Sequence, residues 1–134
     1  MRTRATGKGF WGLVGQTLAQ GAGRDYVREV KEHLDLQGAS GATYRFRLIA
    51  DPGQLPATSG NFVYVRWRGS VPQVFCCGAV NSLTSATRLW DVAVRTHGAE
   101  GLYVRLNVAR AQRDEEHADL IEKIRPPMSP FGDD

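Results

Sequence analysis

Cysteine is nearly absent. The 134 residues contain two, Cys76 and Cys77, and they are adjacent. Neighbouring cysteines are poorly placed to bridge each other, so a disulfide framework is excluded. Histidine is scarce too, and His33, His97 and His117 fall at no spacing that completes a zinc site with the two thiols. The cysteines read instead as small apolar residues of a buried strand. No apolar run is long enough to cross a membrane, and the first residues lack the apolar core of a signal peptide. The expectation is a cytoplasmic protein with no membrane partner. Lysine is the third scarcity, since fourteen of the 17 basic residues are arginine. Arginine favours planar, forked contacts to phosphate, which makes nucleic acid a candidate partner.

With 42% hydrophobic and 23% charged residues, the chain has the composition of one globular domain with a modest core. Its net charge of +3 is unevenly spread. Residues 113–134 carry three basic and seven acidic side chains, a net of −4, which leaves +7 for the rest. There are no internal repeats and no linker long enough to separate two domains.

Residues 62–78, FVYVRWRGSVPQVFCCG, are the stretch around which the others are organised. Val63, Val65 and Trp67 point one way along the first half, and Tyr64, Arg66 and Arg68 the other. This period of two predicts a half-buried strand. Gly69, Ser70 and Pro72 supply a turn, and 74–77 form a short apolar strand closed by Gly78.

Residues 1–12 are a basic arm, either a frayed terminus or a segment that touches DNA. Residues 13–36 are expected to be helical with a weak point at 21–23, because Tyr26, Val27, Val30 and Leu34 fall at helical spacing. Residues 44–50 alternate as a strand, 51–53 turn, and 55–60 form a loop. Asn81 or Ser82 can cap a helix running to about His97, with Gly98 as its stop and Leu83, Ala86, Leu89, Trp90 and Ala93 on one side. Residues 102–108 make a further strand. The last helix spans 110–124, with His117, Leu120, Ile121 and Ile124 as its inward stripe and Arg125-Pro126-Pro127 ending it. Hairpin-joined strands with helices beside them predict an α+β protein with a small, mostly antiparallel sheet of three to four strands, flanked by helices and preceded by an extra N-terminal helix.

In this order, the elements from residue 62 onward resemble the GIY-YIG nuclease domain. Phe62-Val63-Tyr64 is similar to the first motif, Cys76-Cys77-Gly78 to the second, and Ser82-Leu83 to the Asn-Leu that follows. Asp119-Leu120-Ile121 with Arg125-Pro126 is similar to the end of the pattern. The likeness covers about residues 62–129. It makes 1–61 an N-terminal extension (basic arm, helix and strand) packed on the domain, and 130–134 an acidic tail. The chain is also similar to small bacterial or phage GIY-YIG-like proteins.

The resemblance implies hydrolysis of a DNA phosphodiester with one divalent metal, assisted by two tyrosines, an arginine and a metal-holding glutamate. Tyr64 matches the first tyrosine. The second tyrosine falls on Cys76, the arginine on Ala86, a later helix histidine near Trp90, and the glutamate on His117. Arg88 lies about 200° around the helix from Ala86, and Glu116 about 100° from His117, so His117 is the one expected to face the sheet. A thiol does not replace a phenol, and imidazole is a poor ligand for Mg²⁺.

The implied function is therefore a catalytically impaired GIY-YIG-like protein, a nucleic-acid-binding or regulatory module with no cofactor. Its binding surface is expected to comprise Tyr64, Arg66, Arg68, Tyr103 and Arg105, with Arg88 nearby. One alternative is an active endonuclease using Mg²⁺ or Mn²⁺. Glu116, Glu115 or Asp119 would hold the metal, and Arg88 or Arg105 the phosphate. A second alternative is a protein-interaction module or homodimer, through an N-terminal helix carrying Trp11, Tyr26, Val30 and Leu34 or through the acidic C-terminal helix.

Overall fold

The computed structural model describes residues 20–21, 23–24 and 31–128, and it divides between residues 30 and 31 into two units. In the first unit, β1 (Gln20–Gly21) pairs antiparallel with β2 (Gly23–Arg24). The second unit is built on a five-stranded sheet in the order β3-β4-β7-β5-β6, antiparallel throughout. Its strands are β3 (His33–Gln37), β4 (Thr43–Leu48), β5 (Gly60–Arg68), β6 (Val71–Val80) and β7 (Gly101–Leu106).

The β5–β6 hairpin is the longest pairing, running from Gly60↔Val80 to Arg68↔Val71. Gly69 opens its two-residue loop at φ +59°, a conformation that glycine adopts without penalty. Tyr64 pairs with Cys76 and Val65 with Val74, so Phe75 is the extra residue of a bulge that bends β6. Gly78 faces Phe62 across the pair, and any Cβ there would land on the Phe62 ring. Glycine therefore closes the second motif because an aromatic ring lies flat over its backbone.

Both faces of the sheet are covered. One carries Leu34, Leu36, Phe46, Val63, Val65, Trp67, Cys77 and Tyr103, packed under Leu120, Ile121 and Ile124 of helix α2 (Arg110–Ile124). The other carries Phe62, Tyr64, Phe75, Cys76, Val80, Leu102 and Val104, packed under Leu83, Ala86, Ala93 and Ala99. Residues 60–65 of β5 are buried on both sides, so this strand is central rather than half-buried as its alternation suggested.

Three expectations change. Of the N-terminal helix expected at 13–36, residues 20–21, 23–24 and 33–36 are extended, 31–32 are irregular, and the remainder lies outside the described residues. In β3, buried Leu34 and Leu36 alternate with exposed neighbours, and pairing with β4 outweighs the helical spacing further upstream. The sheet consequently has five strands, not three or four.

The helix expected at 81–97 is broken into a 3-10 turn (Leu83–Thr87), a short α1 (Trp90–Val92) and a π-helical turn (Ala93–His97). The Ala86 carbonyl, which a continuous helix would offer to the amide of Trp90, instead accepts the Tyr64 hydroxyl. Helix α2 matches its expected limits. It ends at Arg125 in the left-handed region (φ 51°), and Met128 then pairs with Cys76 at the β6 edge.

Candidate functional site

Tyr64 is the residue that the resemblance matched to the first motif tyrosine. The alternation of β5 aims its ring at the face covered by residues 83–99. The ring stands edge-on to Trp90 at 5.2 Å and tilted to Phe62 at 5.4 Å. Its hydroxyl donates to the Ala86 carbonyl, and Cys76 is its cross-strand neighbour. Tyr64 is 1% exposed, and Cys76 and Ala86 are fully buried. Burial, with the Cys76 thiol alongside, pushes the Tyr64 phenol above its usual value, and burial pushes the Cys76 thiol up to about 12. A neutral phenol that donates its proton to a backbone carbonyl is held in place by that bond.

The second polar centre lies on the opposite face, under the first turns of α2. Sequence spacing assigned the inward position to His117 and turned Glu116 away. In the structure Glu116 is buried against the sheet, whereas His117 is only half-buried. The buried stripe of α2 runs through Arg113, Glu116 and Leu120, so the helix is rotated from the register that Leu120, Ile121 and Ile124 suggest.

Glu116 is fully engaged. One carboxylate oxygen accepts from Arg105 Nε at 2.8 Å and Asn107 Nδ2 at 2.9 Å, and the other from Gln112 Nε2 at 3.1 Å and Arg105 Nη2 at 3.4 Å. Asn107 also donates to Asn61 at 3.0 Å. Arg113, 2% exposed, donates to the carbonyls of Asn107 and Val108 and to Asn81 Oδ1. Four donors on one carboxylate leave little room for a cation, and a divalent ion would meet the Arg105 guanidinium. Among the described residues, no three of His, Cys, Asp and Glu gather where they could hold a metal. The described residues around Glu116 do not fit the single metal implied by the resemblance.

Asp119 is committed elsewhere. It takes hydrogen bonds from Ser40 N (2.9 Å), Ser40 Oγ (2.7 Å) and Tyr44 Oη (2.7 Å), tying α2 to the β3–β4 turn. These donors, Ser40 first, hold its carboxyl below the usual value. Glu115 and Arg88 are exposed, and neither belongs to the Glu116 network.

The expected nucleic-acid set is divided by the sheet. Val63 pairs with Tyr103 and Asn61 with Arg105, and paired residues share a face. Tyr103 and Arg105 therefore lie on the α2 face, opposite Tyr64 and Arg66. Tyr103 is buried and donates to the Lys31 carbonyl at 2.5 Å. Arg105 is taken by Glu116. Arg66 and Arg68 are half-buried and exposed respectively, and only they keep an outward-facing cationic role on β5. Leu34, assigned to a protein contact, is buried in the α2-face core, and Trp11, Tyr26 and Val30 lie outside the described residues. The reading missed Asn61, Asn107 and Arg113. The signal was present: Arg113 continues the stripe of Ile124, Leu120 and His117 by one more turn.

No family model matches the chain, and no curated protein matches it. Among solved structures, the chain is similar to the GIY-YIG N-terminal endonuclease domain of UvrC from Thermotoga maritima bound to magnesium, its catalytic divalent cation. The identity is 20%, over 57% of this chain and 88% of that one, with a TM-score of 0.44. A point mutant of the same domain with its catalytic cation gives 21% identity over 57% and 87%, with the same TM-score. Among the described residues no helix is long and apolar enough to cross a membrane.

Proposed function

We propose that this chain is a GIY-YIG-like protein that has lost its nuclease chemistry and acts by binding nucleic acid. Residues 62–129 form the nuclease-like part, and β3 and β4 extend its sheet. One observation carries the reading: the hydroxyl of Tyr64, the only retained catalytic position, is buried and bound to the Ala86 carbonyl, facing Cys76 and Trp90. The saturated Glu116 carboxylate supports it, because removing a metal ligand and a phosphate-holding arginine each forfeits several kcal/mol of transition-state stabilisation. The arginine-rich composition supports a polyanionic partner.

Two assays test this. Gel shifts with DNA and RNA at low and moderate salt are expected to give salt-sensitive binding. Incubation with plasmid and Mg²⁺ or Mn²⁺ is expected to leave the plasmid intact. Cleavage abolished by Glu116→Ala would instead establish a relocated endonuclease site.

A further inference from the structure

Most arginines of the second unit are already occupied. Arg45 is paired with Asp35 at 2.8 Å, Arg105 with Glu116 at 2.8 Å, and Arg110 with Asp114 at 3.6 Å. Arg113 is buried on carbonyls, Arg125 Nε reaches the Glu122 carbonyl at 3.4 Å, and Arg88 has a partner of its own. Among the described residues, Arg47, Arg66, Arg68 and Arg95 hold no ion pair or side-chain hydrogen bond. Long cationic side chains left in water are normal singly, but three of these four stand on β5 and the turn that adjoins its end.

Arg66 and Arg68 stand two residues apart on one face of β5, about 7 Å along the strand. The amide of Glu100 bonds to the Val65 carbonyl at 2.8 Å, which brings the π-helical turn carrying Arg95 against the same end of β5. Arg66 Nη1 lies 3.1 Å from where a Cβ of Gly98 would stand, at the end of that turn. His97 stacks on Phe75 at 5.0 Å and anchors the turn to β6. Around these cations lie two exposed apolar residues, Val71 (63%) and Val94 (41%). The acidic groups nearest in the chain are Asp91 and Glu100, and Glu100 accepts the Trp67 amide at 3.1 Å.

We infer that the phosphate backbone of a nucleic acid docks on the tip of the β5–β6 hairpin and the adjoining turn, held by Arg66, Arg68 and Arg95. This rests on the nucleic-acid reading above and moves its surface away from Tyr64, Tyr103 and Arg105. Three forked guanidinia without internal carboxylate partners match successive phosphates, whereas Arg47 stands apart on the β4 face beside the neutralised Asp35–Arg45 pair.

The test is fluorescence polarisation with labelled single-stranded and duplex DNA of about 20 nucleotides, titrated from about 50 to about 200 mM salt. The full chain is compared with Arg68→Gln/Arg95→Gln, the triple variant that adds Arg66→Gln, and Arg47→Gln. Arg68 and Arg95 are exposed, so the double variant is expected to keep the native melting temperature. Its salt slope should fall by about 2 and its affinity by at least about tenfold, and Arg47→Gln should stay within about twofold of native. A double variant that binds like the native protein overturns this surface but leaves nucleic-acid binding standing. No binding by the native chain at low salt overturns both. Equal displacement of DNA by polyglutamate overturns nucleic acid as the occupant.

Discussion

Tyr64→Phe isolates the role of one hydroxyl. The phenylalanine ring keeps the contacts to Phe62 and Trp90 at 5.4 and 5.2 Å, so packing is unchanged. What is lost is the donor to the Ala86 carbonyl, at a residue with no solvent exposure. A hydrogen bond contributes about 1 kcal/mol net, and leaving its buried acceptor unpaired costs about 1–3 kcal/mol. The expected loss is about 1–3 kcal/mol. For a unit of about 100 residues, each kcal/mol lowers the melting temperature by roughly 4–8 °C. Thermal melts should therefore shift down by about 4–24 °C, and urea titration should show a lower midpoint at an unchanged slope. If Tyr64→Phe melts like the native protein, the hydroxyl is not committed to the fold. If it also abolishes plasmid cleavage seen with the native chain, Tyr64 is a catalytic residue and the loss of chemistry is refuted.

Three further outcomes are expected. Glu116→Ala strands Arg105 and Asn107 beside a half-buried cavity and should cost about 3 kcal/mol in chemical denaturation, while added Mg²⁺ should leave the native melting temperature unchanged. Gly78→Ala drives a methyl group into the Phe62 ring and should destabilise by about 1–3 kcal/mol or more, with the near-ultraviolet circular dichroism changing along with the midpoint. Stability should also fall at high pH. Burial pushes the Cys76 and Cys77 thiols up to about 12 from an ordinary 9 and raises Tyr64 too, so their contribution is complete below about 9 and is lost as pH rises towards 12. A denaturation midpoint that holds flat from pH 8 to about 11 would contradict this burial.

The local pattern was most legible where a segment's neighbours in sequence are also its neighbours in space. Helix α2 starts at Arg110 and ends at Ile124, as its periodicity and the Arg125-Pro126-Pro127 stop predict. The β5–β6 hairpin followed from alternation and its Gly-Ser turn. Strand β3 did not, because Leu34 and Leu36 are recognisable as a strand face only when β4 lies beside them and α2 above. The break in the helix at 83–97 was equally hidden. It depends on a hydroxyl twenty-two residues upstream claiming the Ala86 carbonyl.

The candidate site divides in the same way. From sequence alone came the resemblance that matches Tyr64 to a motif tyrosine and sets Cys76, Ala86 and His117 at the other motif positions. On the proposed function these exchanges matter because a thiol, a methyl group and an imidazole lack the functions of a phenol, a guanidinium and a carboxylate. The tertiary structure alone decided which side chains meet. The strand pairing sent Tyr103 and Arg105 to the face opposite Tyr64, and a small rotation of α2 turned Glu116 inward to Arg105. Facing in a sheet is set by register with the partner strand, and rotation of a helix by how its whole stripe packs, and neither quantity is local to the residues concerned.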